Sequence, residues 1–265
     1  MQNKIDKFLL FIPAYNCEKQ ILRVLRSITP EIAERFNEIV VVENRSTDKT
    51  VKSAELGLSE IKNCKVTLLQ NDENYSLGGS HKVAFNYMLE HGYDYLVVLH
   101  GDDQGDIHDI LPLIDSGEYR NYDVLLGSRF AKGSKLIGYS KFRIFGNVVL
   151  NTILSVLTRT KITDMGSGLN MYSRSFLSSK FYILYPNDLT FNIYALFYGI
   201  WKKIRFKFFP LTWKESDQVS NAKMFKQAKN ILKLTFEFAR NNEVLTKDFV
   251  NGKKQYTSKV IYQNN

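Results

Sequence analysis

His100, Gly101, Asp102, Asp103 and Gln104 follow directly on the apolar run Tyr95 to Leu99, and they place an imidazole, carboxylates and an amide at the end of one strand. In extended backbone alternate residues share a face, so His100, Asp102 and Gln104 point together while Gly101 lets a ligand approach the main chain. Carboxylate and amide oxygens suit Mg²⁺ or Mn²⁺, ions usually completed by water and a substrate diphosphate. His100, Asp102 and Gln104 are therefore the metal candidates. Taken alone, the same residues also fit an acidic loop closing a buried strand.

The elements that must position this cluster alternate between strand and helix patterns, as in a mostly parallel central sheet flanked by helices. Phe8 to Ile12 is an apolar strand closed by Pro13. Ile21, Leu22, Leu25 and Ile28 then recur at helical spacing, and Glu38 to Val42 supplies a second, β-branched strand. Val66 to Leu69, Tyr93 to Leu99 and Asp123 to Leu126 follow as strands, with a helix over Leu77 to Glu90 opened by Gly78 and Gly79. Ligands of open α/β sheets bind outside the carboxyl ends of the strands. Pro13 to Asn16, Glu43 to Ser46, Asn71 to Gly79 and His100 to Gln104 should thus line one crevice, and Arg129 would bring a phosphate-binding guanidinium to the same edge.

Beyond Arg129 a Gly- and Lys-bearing loop precedes an apolar helix over Phe142 to Leu157, which Asn147 and Asn151 make too short and too interrupted to span a bilayer. A turn-rich segment, Thr163 to Gly168, leads into a strand over Leu169 to Tyr172. A helix near Asp188 to Tyr198 and a strand over Ile204 to Phe209 follow. Lys223 to Arg240 is a basic amphipathic helix, suited either to packing on the domain or to a membrane surface. The polar tail after Val244 is expected to fray. The division expected is one α/β domain over 1–222 and a helical C-terminal extension over 223–265.

With 44% hydrophobic and 24% charged residues, the composition excludes a disordered chain and a multispanning membrane protein. The two cysteines lack metal spacing, and no signal peptide is evident, so a cytoplasmic location is the expectation. A net charge of +9 favours anionic partners. Nucleic acid ranks last among these, for there is no zinc-finger spacing and no RNA-binding aromatic signature.

In order along the chain, these segments resemble the family 2 glycosyltransferases of GT-A fold, particularly the dolichyl- and polyprenyl-phosphate sugar synthases. Phe11 to Asn16 resembles the opening strand and nucleotide loop, Ile39 to Thr50 the second, and Asn74 to Lys82 the glycine-bearing helix start. Gly127 to Arg129, Asp164 to Gly168, Pro210 to Trp213 and Ser220 to Lys223 resemble the later signatures. The resemblance implies an inverting, metal-dependent transfer of a sugar from a UDP- or GDP-type donor to a polyprenyl-phosphate or glycan acceptor; together with the basic amphipathic helix over Lys223 to Arg240 and the lack of a spanning segment, it sets the expectation of a peripheral site on an anionic membrane. It assigns donor contacts to Pro13, Ala14, Tyr15, Asn16, Glu43, Asn44, Ser46, Gly79, Lys82, Gly101 and Lys223. Asp102 would hold the metal, Arg129 would stabilise the leaving diphosphate, and Asp164 is the candidate general base, with Asp188 in reserve. His100 stands where the family pattern has its first aspartate. An ionised phosphate acceptor needs no base, whereas a hydroxyl does.

Other readings are a weakly catalytic nucleotide-sugar-binding protein of the same fold and a nucleotidyltransferase. The latter's glycine-rich loop is absent after the first strand, as is the Gly-x-Gly-x-x-Gly of a dehydrogenase.

Overall fold

A computed structural model describes residues 6–215, 224–250, 252 and 254–264. The first half comprises β1 (Phe8–Ala14), α1 (Glu18–Arg26), α2 (Pro30–Ala33), β2 (Glu38–Glu43), α3 (Thr50–Glu60), β3 (Lys65–Asn71), α4 (Ser76–His91) and β4 (Tyr95–Leu99). Then come α5 (Leu111–Asp115), β5 (Val124–Ser128), β6 (Lys135–Ile137), α6 (Lys141–Thr158), β7 (Leu169–Ser173) and α7 (Arg174–Leu177). The chain ends with α8 (Phe191–Trp201), β8 (Phe206–Pro210), β9 (Thr212–Lys214), α9 (Met224–Arg240) and β10 (Ser258–Gln263).

Eight strands form one sheet in the order β10-β3-β2-β1-β4-β7-β5-β8. β1 and β2 are buried along almost their whole length, which is why they read as continuous apolar runs rather than alternating ones. β1 to β5 and β8 run one way, while β7 and β10 run against them. The reversal of β7 matters to the site. Entering between β4 and β5 from the opposite direction, β7 starts at the edge where the parallel strands end, so Asp164 to Gly168 join the crevice loops.

Helices cover both faces. Ile21, Val24 and Leu25 of α1 and Ala54 and Leu58 of α3 close one side; α4, α8 and α9 close the other. Leu234 and Phe238 of α9 are buried, and Phe238 stacks on Phe197 with ring centroids 4.7 Å apart. Most of the apolar side of α9 is thus spent on the domain, with Phe236 left 58% exposed. The tail expected to fray instead becomes β10, whose backbone completes the otherwise open edge of β3. Lys223, at the start of the expected helix, lies outside the described residues.

Candidate active site

Backbone hydrogen bonds tie the loops at the carboxyl edge together. Gly101 N–H donates to Pro13 O at 3.1 Å and Asn44 N–H to Ala14 O at 3.0 Å. Asn16, at φ 48°, donates from its backbone to Ser46 Oγ at 2.9 Å and accepts from Thr47 N–H at 2.8 Å. A Cβ at Gly101 would sit 2.9 Å from Pro13 O, so this close approach of β4 to β1 requires glycine. Tyr15, 48% exposed, projects from the rim. Pro13, Ala14, Tyr15, Asn16, Ser46 and Gly101 are therefore brought together, as the crevice expectation required.

Asp102 lies in this crevice with its carboxyl pushed up to about 6, chiefly by burial, with Asp103 adding repulsion. Its Oδ1 accepts Gln104 N–H at 3.3 Å. Asp103 points elsewhere, to Arg23 at 2.6 Å. His100 is packed against the turn before β7. Its ring lies on Gly168, where a Cβ would fall 2.7 Å from His100 Cγ, and its Nε2 is sealed from solvent without a hydrogen-bond partner. The ring faces His81 of α4, centroids 6.1 Å apart, and burial holds its pKa down to about 4. Nε2 is therefore closed to a cation, which leaves Nδ1 as the ring nitrogen that could face one. No cluster of three or more His, Cys, Asp or Glu able to hold a metal occurs among the described residues. The donors present, one desolvated carboxylate and the Gln104 amide, fit a hard cation carried mainly by a diphosphate and water.

Arg129 and Asp164 form a buried, bidentate pair. Arg129 Nε and Nη2 donate to the two carboxylate oxygens at 2.8 and 2.7 Å, and the Arg129, Met165 and Gly166 backbone N–H groups add three more bonds. Burial alone would raise the Asp164 pKa; the Arg129 charge and these bonds hold it below the ordinary carboxylate value. A carboxylate so committed is a poor proton acceptor, which counts against the general-base expectation. Nor does Arg129 bring an uncompensated charge to a phosphate: its guanidinium is neutralised by Asp164 and packed 5.0 Å from the Trp213 ring. Asp188 accepts from Thr190 N–H at 2.8 Å in a turn before α8, a local role.

Four other expected donor contacts serve the scaffold. Lys82 is fully buried, and its ammonium donates to Ile183 O at 3.1 Å, Tyr185 O at 2.5 Å, Asn187 Oδ1 at 2.8 Å and Tyr256 OH at 3.0 Å. It clamps the 183–187 loop and the C-terminal segment. A Cβ on Gly79 would meet Tyr75 at 2.3 Å, so this glycine serves close packing. Asn44 spends its amide on Asn71, Asn74 and Tyr75, holding the β2 and β3 loops together. Glu43 is buried and accepts from Ser46 N–H and from Gln70 Nε2 at 3.0 Å. Sequence reasoning missed Trp213 and Lys214 as site walls. Lys214 N–H donates to Gln104 O at 2.9 Å and Gly105 bridges to Trp213, so β9 fixes the far end of the candidate metal loop. The signal available was Trp213 itself, a large aromatic beside a strand end.

A family model described as "Glycosyl transferase family 2" matches residues 10–180. The chain is 29% identical to the UDP-N-acetylglucosamine–dolichyl-phosphate N-acetylglucosaminyltransferase of Methanococcus voltae, over 65% of this chain and 72% of that protein. It is 25% identical to the undecaprenyl-phosphate mannosyltransferase of Micrococcus luteus, over 63% of this chain and 66% of that protein. Matches to the first curated relatives span 65% to 72% of those proteins' lengths. Among solved structures, glucosyl-3-phosphoglycerate synthase from Mycobacterium tuberculosis, in complex with Mn²⁺, UDP-glucose and glycerol 3-phosphate, aligns with a TM-score of 0.62 at 15% identity, covering 88% of this chain and 80% of that one. That likeness shows the GT-A-like fold.

Proposed function

From the premise that this chain belongs to glycosyl transferase family 2, we propose that it moves a sugar, with inversion, from a nucleotide diphosphate donor to a polyprenyl-phosphate carrier. The observation that carries the acceptor class is the Arg129–Asp164 pair. The carboxylate first in line to act as base is locked in that pair, which suits a nucleophile that arrives already ionised. Two relatives named for dolichyl- and undecaprenyl-phosphate support the same class.

In this mechanism the nucleotide lies across the stitched loops, with Tyr15 against the base and Ser46 toward the ribose, while the buried Glu43 holds the Ser46 turn in place. A divalent ion held by Asp102, Gln104 and the diphosphate would neutralise charge developing on the leaving group. A phosphate oxygen of the acceptor attacks the anomeric carbon, the bond to the donor's β-phosphate oxygen breaks, and the electron pair leaves with the nucleoside diphosphate. Pro13 and Gly101 keep the β1 and β4 loops in register, and the Arg129–Asp164 pair fixes the wall made by Trp213 and the 164–168 turn.

The test is a panel of UDP-, GDP-, dTDP- and CDP-sugars with and without Mn²⁺, offered undecaprenyl phosphate, undecaprenol and free sugars. Metal-dependent formation of a lipid-phosphate-linked sugar is the expected result. Transfer to hydroxyl acceptors with none to the phosphate would overturn the acceptor assignment, and donor binding without turnover would favour the binding-protein reading.

A further inference from the structure

α6 leaves one side uncovered over its entire length. Phe142 is 67% exposed, Phe145 68% and Val156 71%, and Val148, Val149 and Ile153 are exposed with them. At 100° per residue these positions, with Gly146 and Thr152, fall within one arc of about 160°. No charge interrupts that arc; Lys141 and Arg159 stand only at its two ends. A continuous apolar face on a folded domain marks a surface that something else covers.

The charges around it indicate what covers it. From residue 131 to 161 the sequence carries Lys132, Lys135, Lys141, Arg143, Arg159 and Lys161 and no aspartate or glutamate. Arg143 turns inward to Glu215, while the other five are exposed. A second copy of the same face would set cations against cations. An anionic lipid leaflet complements both the apolar arc and its basic frame, and no helix among the described residues is long and apolar enough to cross a membrane.

The opposite side of α6 reaches the candidate active site. Asn151 Nδ2 donates to Thr163 O at 2.7 Å, immediately before Asp164, and Tyr139, just ahead of the helix, lies 5.9 Å from the Arg129 guanidinium. An element seated in a leaflet would hold the crevice at headgroup level, where a lipid-linked phosphate is found. We propose that α6, and not the basic helix α9, is the membrane-seating element, lying in the plane of an anionic leaflet with Phe142 and Phe145 among the acyl chains. This rests on the reading that the acceptor is a lipid phosphate, but it is tested without turnover.

The experiment is sedimentation of the full chain with vesicles of phosphatidylcholine alone and of equal parts phosphatidylcholine and phosphatidylglycerol. Wild type should partition to the anionic vesicles. Phe142→Ser with Phe145→Ser should lower that partition by about tenfold or more for each phenylalanine removed from the apolar phase, while Lys229→Glu with Lys233→Glu on α9 should have a smaller effect. Phe145→Trp supplies a reporter whose emission should shift blue on the same vesicles. Wild type that ignores anionic vesicles, a serine variant that binds as wild type, or a dimer in solution dispersed by the serine substitutions would each overturn the proposal. Donor hydrolysis by the serine variant, measured without lipid, should equal wild type. Failure of donor turnover in wild type would count against the proposed function and leave the vesicle result standing.

Discussion

Replacing Asp164 with asparagine separates a scaffolding pair from a catalytic base. The carboxylate is buried and takes five hydrogen bonds, three of them from Arg129, whose side chain is only 13% exposed. Asparagine removes the charge and turns an N–H₂ group toward donors that need acceptors. It leaves the Arg129 guanidinium buried without its counter-ion, and losing one member of a buried ion pair costs about 3–5 kcal/mol. The expected result is a fall of that size in unfolding free energy, read from urea midpoints at constant slope. The sign with pH follows from the depressed pKa of Asp164. Its stabilisation is complete above the unfolded-state value of about 3.9 and is lost as pH falls through the lower folded value, so the gap to wild type is full at neutral pH and narrows below about 4. Replacing the pair jointly, Arg129→Met with Asp164→Leu, should recover much of the loss. An Asp164→Asn protein as stable as wild type, with turnover abolished and the basic limb of its pH profile removed, would refute this reasoning and restore Asp164 as the base.

Asp102→Asn should eliminate metal-dependent turnover yet leave the protein as stable or more stable, by about 1–2 kcal/mol at neutral pH, because burial disfavours the Asp102 charge; a large drop in unfolding midpoint would show a structural role instead. Burial holds the pKa of His81 down to about 3, with His100 beside it as a second cause, and that of His100 to about 4. Unfolded histidine binds protons below about 6.5, so stability should fall by roughly 1.4 kcal/mol per pH unit per histidine from there toward pH 4. Urea midpoints at pH 7 and 5 measure this, and His81→Phe should reduce the slope. Gly168→Ala would place a Cβ 2.7 Å from His100 Cγ and should cost about 1–3 kcal/mol. In the His100→Ala background most of that cost should vanish; a double-mutant cycle with no coupling would place the His100 ring elsewhere.

The sequence by itself determined the alternation of elements and the edge at which the loops meet. Runs such as Leu9 to Ile12 and Ile39 to Val42 can satisfy their backbone and bury both faces only inside a sheet, and Gly101 and Pro13 mark where such strands end. That was enough to gather Pro13 to Asn16, Ser46 and Asp102 in one crevice. It did not fix where polar side chains point, since their partners lie far along the chain. Lys82 turned inward because carbonyls 101 and 103 residues away, together with Tyr256, could satisfy its ammonium. Asp164 closed on Arg129 across 35 residues, and His100 lay down on Gly168 rather than over Asp102. The helices were exchanged in the same way. α9 has the stronger amphipathic pattern in sequence but spends most of its apolar side on Phe197 and its neighbours, leaving Phe236 exposed, whereas α6, whose apolar residues spread around more of its circumference, is left with a continuous bare face. Periodicity shows that a helix has an apolar side; only tertiary packing decides whether the protein's own core covers it.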